Sequence, residues 1–407
     1  MTARAAAARA RGLAATTIEK GRHAMHAPFG GPLRRHQSTR ALGALAAAGL
    51  VAGLVAGLPT GKAPGPRPEV AAARGHLLSS SCAGPSGTAF VADAGYDAFS
   101  QIDTATCTVV PNGGYNVGDT EVPGDSGDYN YSSTDKGVIA TGGNLWFADT
   151  GTSDVAIISI AGLSPSDYNP AETLVDTGLD PEALAATPDG SEVWVADTGP
   201  QTGPSSPSSI DVISTSNDTV IASIPLAGSP GNIAFSPNGD DAYVTTSTGV
   251  AVFDVASRSL AGEIRGLDQA EGVAVSPNGQ VVYVTEAGSN EVAEIDTATN
   301  AVTRTITVGS MPWQVVFSPS GSTAYVADPD SNQVSVIDVS TSTVSATVSV
   351  PDDPDALALS TDAAASELWV GENAGGTVAV VDTATNTVTS TIALGTAYEP
   401  TGIAIVS

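Results

Sequence analysis

The chain has 407 residues, 42% hydrophobic, 5% aromatic and 14% charged, with 44 Gly and 26 Pro; it is too apolar for a disordered chain and too glycine-rich for a helical one. Residues 1–76 hold 11 of the 15 Lys+Arg and only Glu19 and Glu69 of the 43 acids, which leaves four basic against 41 acidic side chains in the remainder, a net charge near −37. That surface repels phosphate backbones and anionic headgroups, so the folded part has no nucleic-acid partner and no peripheral membrane docking.

The amino-terminal segment carries Arg34, Arg35 and Arg40 ahead of an unbroken Ala/Gly/Leu/Val stretch, 41–58, then Pro59 and a Pro/Gly-rich run. Charged and apolar regions in that order predict an export signal. The alternative is an uncleaved membrane anchor, since 18 apolar residues just span a bilayer and Gly49, Gly53 and Gly57 have GxxxG spacing. Residues 1–76 are thus a signal or anchor plus linker, and the membrane is a partner only if this segment is uncleaved. His23, His26, His36 and His76 all lie here. The rest of the chain has no histidine, so a Ser-His-Asp or Cys-His nucleophile, a His base and His-ligated zinc or copper are excluded. Carboxylate chemistry and oxygen-ligated calcium survive. Cys82 and Cys107 follow, a disulfide candidate in an oxidising compartment, or else two unpaired small residues.

From residue 77 the sequence repeats. Short strands put an aromatic in one place seven times: Phe90, Trp146, Trp194, Tyr243, Tyr283, Tyr325 and Trp369, separated by 56, 48, 49, 40, 42 and 44 residues. This is the spacing of a four-stranded propeller blade with loop insertions. In the unit 311–350, strands are expected over 314–318, 324–328, 333–338 and 343–350, with alternating residues as half-buried strands require. Ser-Pro-Asn-Gly at 236–239 and 276–279 supplies turns, and no helical period appears. Tyr283-Val284-Thr285, with VAEIDTAT at 292–299, TITVG at 305–309 and Ser276-Pro277-Asn278-Gly279, resembles the YVTN-type, YncE-like β-propeller repeat family over roughly residues 84–407. The resemblance implies an exported or surface protein with a structural, adhesive or binding role, in a wider group that includes some enzymes. Thr245-Thr246 and the first two units depart from the pattern.

The predicted fold is therefore all-β, a seven-bladed propeller of four-stranded blades over residues 77–407. The first strand, 88–93, reads as the second of a blade and the last, 402–407, as an inner one, so the carboxyl-terminal strand should complete the first blade and close the ring.

Ligands of propellers gather on the crossover face, where one blade's outer strand passes to the next blade's inner strand. The strand order puts Glu182, Asn232, Glu271, Trp313, Asp355 and Pro400 there, with Asp149, Asp197, Glu286, Asp328 and Glu372 nearby. Trp313 could stack on a sugar or peptide, or cap the core. The insertion 111–136 opens on the same face with Asp119, Glu121, Asp125, Asp128 and Asp135 among Tyr115, Tyr129 and Tyr131. It reads as a solvated loop whose tyrosines could touch a partner and whose carboxylates would chelate calcium only without a known loop spacing. Asp103, Asp254, Asp296, Asp338 and Asp382 recur at one strand end and predict Asx turns rather than catalysis.

The expectation is a secreted or cell-surface binding or scaffold propeller, monomeric and not an enzyme. It has no catalytic residue, no metal ligand and no obligate cofactor, and it takes a protein or glycan partner. The alternative is a calcium- and carboxylate-dependent, lactonase-like hydrolase using Glu182, Asn232, Glu271 and Asp355, which requires those groups to converge.

Overall fold

The structure, a computed structural model, describes residues 87–406 apart from 95–97, 117–134, 150–152, 165–169, 200–207, 363–365 and 396–397. Cys82, Tyr129, Tyr131 and the apolar stretch 41–58 lie outside the described residues.

Among the described residues, 28 strands form seven four-stranded antiparallel sheets, and the helical pieces are two short 3-10 turns, Ile160–Gly162 and Pro329–Ser331. Blade I holds β1 (Thr88–Asp93), β2 (Ala98–Asp103) and β3 (Thr108–Asn116). Blade II is β4 (Asp135–Thr141), β5 (Asn144–Asp149), β6 (Asp154–Ser159) and β7 (Glu172–Asp176). Blade III is β8 (Pro181–Ala186), β9 (Glu192–Asp197), β10 (Ser209–Ser214) and β11 (Thr219–Pro225). Blade IV is β12 (Pro230–Phe235), β13 (Asp241–Thr246), β14 (Gly249–Asp254) and β15 (Ser259–Arg265). Blade V is β16 (Ala270–Val275), β17 (Val281–Glu286), β18 (Glu291–Asp296) and β19 (Ala301–Thr307). Blade VI is β20 (Val315–Phe317), β21 (Thr323–Asp328), β22 (Gln333–Asp338) and β23 (Thr343–Ser349). Blade VII is β24 (Pro354–Leu359), β25 (Glu367–Glu372), β26 (Thr377–Asp382) and β27 (Thr387–Ala393).

The last strand, β28 (Pro400–Val406), returns to blade I and pairs antiparallel with β1 from Thr88↔Val406 to Asp93↔Pro400. It also touches the inner strands of blades VII and II, so the seven inner strands contact one another in an unbroken circle. The blade count and the closing strand are as the sequence predicts.

The core is divided among the blade interfaces rather than gathered at one centre. Seven apolar clusters occur, one between each pair of neighbouring blades. The repeated aromatic of each second strand fills the interface toward the following blade: Trp194 packs with Val244 and Phe253, Tyr283 with Val315 and Val326, and Trp369 with Ala89 and Val91. Because second strands are covered on both faces, every position after the first is buried in each of them, which departs from the alternation expected of half-buried strands. Alternation belongs to outer strands such as β11 and β23. β3 also differs, running nine residues to Asn116, so the loop begins later than residue 111. A register shift between Ser100 and Ile102 absorbs Pro111 on this outer edge, where a residue without an N–H is tolerated.

The recurring aspartates form the turns expected of them. Asp296 Oδ1 accepts Thr299 N at 2.9 Å, Asp382 Oδ1 accepts Thr385 N at 2.7 Å, and Asp103 Oδ1 accepts Ala105 N at 2.9 Å. Hydrogen bonds from Ser257 hold the Asp254 carboxyl below the ordinary carboxylate range, and Ser340 and Thr385 do the same for Asp338 and Asp382.

Candidate functional site

A recurring irregularity builds the rim of the channel on the crossover face. In six of the inner strands one extra residue enters the ladder near its start: Pro181 pairs with Asp197 but Ala183 with Ala196, Pro354 with Glu372 but Ala356 with Gly371, and Pro400 with Asp93 but Gly402 with Ala92. Such a bulge re-aims the side chain it carries. Successive blades place Lys136, Glu182, Gly231, Glu271, Trp313, Asp355 and Thr401 at this position; Trp313 stands just before the shortened β20, its N–H bonded to Ala327 O at 2.8 Å.

The next position is mostly Gly or Ala because neighbouring inner strands close on each other there. A Cβ on Gly272 would overlap the Trp313 carbonyl oxygen, so only glycine fits. Thr285 Oγ1 donates to that carbonyl at 2.6 Å and accepts Gly272 N at 2.7 Å, fixing the backbone that presents Trp313. Thr245 repeats the arrangement one blade earlier, donating to Glu271 O at 2.9 Å. Thr245-Thr246 is thus a regular member of the ring despite its divergent sequence.

The predicted residues therefore separate. Glu182, Glu271 and Asp355 are half-buried rim positions on blades III, V and VII. Asn232 is not on the rim, which is Gly231 in blade IV; its Nδ2 donates to Glu271 O at 3.1 Å and ties two inner strands together. Gln314 does the same for blades VI and VII by accepting Leu357 N. Among the described residues no three His, Cys, Asp or Glu side chains come close enough to hold a metal ion. Cys107 is in disulfide form, and Cys82, its expected partner, lies outside the described residues.

Trp313 is 38% exposed, whereas Trp146, Trp194 and Trp369 are 0% exposed. It does not cap the core. In ring order its rim neighbours are Glu271 on blade V and Asp355 on blade VII. Burial, then the Asp353 carboxylate beside it, push Asp355 up to about 7; Glu399 adds to the rise and a hydrogen bond with Asn373 opposes it. Asp352 and Asp353, both in the left-handed region at φ 69° and 68°, bring this acidic loop up to the rim.

Behind the rim, six of the seven second strands end in a buried carboxylate: Asp93, Asp149, Asp197, Glu286, Asp328 and Glu372. Four of them, Asp93, Asp197, Glu286 and Asp328, pin the connection entering their own blade. Asp93 Oδ1 accepts Glu399 N at 2.8 Å, Glu286 Oε1 accepts Asp268 N at 2.8 Å, and Asp328 accepts Gly309 N. The strand order puts them near the site but does not show this role. The signal was present in the glycines, since a Cβ on Gly178 or Gly309 would lie 2.6 Å from Asp197 or Asp328.

The profile of a family described as a domain of unknown function, DUF5074, matches residues 221–392. No curated protein matches the chain. The fold is similar to that of a functionally unknown protein from Desulfotomaculum acetoxidans, with 18% identity, a TM-score of 0.63 and coverage of 79% of this chain and 99% of that one. It is also similar to Kuenenia stuttgartiensis hydrazine synthase, at 18% identity and TM-score 0.58 over 71% of this chain and 90% of that one. AztD from Citrobacter koseri matches at 16% identity and TM-score 0.50 over 79% and 98% of the two chains. At these identities the likeness is one of fold.

Proposed function

We propose that the protein is a YVTN-type, YncE-like binding or scaffold propeller acting outside the cell or at its surface, and that a protein partner seats a basic segment on the crossover face over Trp313. The observation that carries this is one exposed tryptophan at the channel rim with Glu271 and Asp355 on the adjoining blades. An indole between carboxylates suits a Lys or Arg side chain, the ring face and both charges attracting the cation. The net charge near −37 after residue 76 steers such a partner. The arginines and the apolar stretch 41–58 support export.

Asp355 gives the surface a pH signature. Its carboxyl titrates at about 7, and a bound cation requires the ionised form, so affinity rises as pH passes upward through neutrality. The test is a titration with a lysine-rich peptide, followed by the emission and quenching of Trp313. Salt-sensitive saturation that Trp313→Ala and Asp355→Asn weaken, and that Asp240→Asn on the opposite face leaves alone, supports the reading. Equal affinity in all three variants refutes it, and saturation by a neutral oligosaccharide instead assigns the rim to glycans.

A further inference from the structure

In blade III a second buried aspartate stands where blades I and VI carry a serine. In blade VI, Ser335 Oγ donates to Asp328 Oδ2 at 2.6 Å. The serine lies two residues beyond Gln333, the cross-strand partner of Asp328, so the two side chains share one face of the sheet. Blade I also has a serine, Ser100, at this place. In blade III the equivalent residue is Asp211, two beyond Ser209, the cross-strand partner of Asp197. An ionised aspartate has no hydrogen to give.

The two carboxyls are 1% and 5% exposed and converge on one donor. Gly178 N is 3.0 Å from Asp211 Oδ2 and also hydrogen-bonds Asp197. Gly178 stands three residues before Pro181, as Gly309 stands three before Pro312. Thr177 and Ser209 supply the remaining hydrogen bonds to Asp197, while Oδ1 of each aspartate is buried without one. Among the described side chains no cation is paired with them. Of the described arginines, Arg258 pairs with Glu192 and Arg265 with Glu263, and Arg304 bonds Ser342 on the far side of the ring. The other titratable groups on neighbouring elements are acids, Asp176 and Asp180 at the loop, Glu182 on β8, and Asp149 and Asp154 of blade II, together with Lys136 of β4, whose side chain lies outside the described ones. Blade IV offers only Pro230, Gly231 and Asn232 from β12. Two carboxylates cannot both stay ionised in such a place.

We propose that Asp197 and Asp211 hold one proton between them at neutral pH, the carboxylic acid hydroxyl replacing the hydroxyl that Ser335 supplies in blade VI. The proton-bridged pair latches the loop 177–180 against blade III. Burial, and then the Asp211 carboxylate, raise Asp197 to about 8, which places release of the proton in mildly alkaline solution. The folded value lies above the unfolded one of 3.8, so the stabilisation is complete below that value and is lost progressively as pH rises to about 8. The loop carries Leu179, 41% exposed, and runs through Pro181 into Glu182, so release loosens one sector of the rim.

Asp211→Ser restores the blade VI arrangement, and Asp211→Asn supplies a neutral N–H donor of the same shape. Thermal unfolding of the full chain from about pH 5 to about pH 9 should show wild type and both variants melting together in acid, with wild type falling about 5 °C below them in alkali. Melting curves that stay parallel at every pH overturn the proposal. So does a stabilisation of wild type specific to calcium, magnesium or sodium that both variants lose, which would give the pair to a metal ion. Should a variant fail to fold, the infrared carbonyl band of a protonated carboxyl decides between it and the other. That band must be present in wild type at neutral pH and weaker in the folded variant, and its persistence undiminished refutes the shared proton.

Discussion

Removing β28 should open the ring. Ending the chain at Glu399 deletes a ladder of six paired residues against β1, which at about 0.5–1.5 kcal/mol per hydrogen bond contributes roughly 3–9 kcal/mol. Ala404 leaves the cluster between blades I and II, joined there by Val406, and Ile403 and Ile405 leave the cluster between blades VII and I. At about 0.8 kcal/mol per buried methylene these partly buried side chains add on the order of 5 kcal/mol. A total near 10 kcal/mol equals much of the 5–15 kcal/mol that stabilises an ordinary domain. It also bares the edge of β1 and the flanks of β4 and β24. Urea unfolding followed by far-ultraviolet circular dichroism should show loss of the cooperative transition or a midpoint lowered by well over half. A truncated protein with an unchanged midpoint would refute closure by this strand.

Thr285→Val removes the hydroxyl that bridges Gly272 N and Trp313 O. Leaving these groups unsatisfied costs about 1–3 kcal/mol, and the Trp313 emission should shift while the three buried tryptophans do not. Trp194→Ala empties the interface between blades III and IV, where the indole meets Phe235 and Phe253 at centroid distances of 5.4 and 5.9 Å, and should cost about 3–5 kcal/mol in denaturant unfolding. At the turns the pH dependence has the opposite sign to that of Asp197. Asp382 is held below the ordinary carboxylate range by the Thr385 N–H and hydroxyl. Its stabilisation is present above that range and lost as pH falls through the folded value, so Asp382→Ala should destabilise at neutral pH and match wild type in acid.

The architecture was legible because one residue in each unit carries it. The aromatic of the second strand fills the interface to the next blade, so it recurs at blade spacing however far the loops diverge, and Phe90 through Trp369 mark seven blades. The strand order at the two chain ends then gives the closure. The Asx turns were legible for a similar reason, since their hydrogen bonds run within three residues of Asp103, Asp296 or Asp382. The rim was only partly so, because its position is set by a bulge, and an extra residue is visible only against its partner strand. Counting from strand starts puts Asn232 and Pro400 on the rim in place of Gly231 and Thr401, and leaves out Lys136. The meaning of Asp211 lies in a cross-strand neighbour 14 positions away and in the contrast with Ser335, neither of which a local motif contains. β3 runs on past Pro111 to Asn116 because an outer strand tolerates a residue without an N–H.

The most direct test of the binding account is footprinting of the crossover face. The folded protein is labelled at accessible carboxyls with a carbodiimide and oxidised at accessible tryptophan, with and without a saturating lysine-rich peptide, at a pH above the Asp355 titration. The account predicts protection of Trp313, Glu271 and Asp355 together, with Asp240 and Asp254 on the opposite face unchanged. Uniform protection of acidic residues over both faces, or an unprotected Trp313 in the saturated complex, would contradict it.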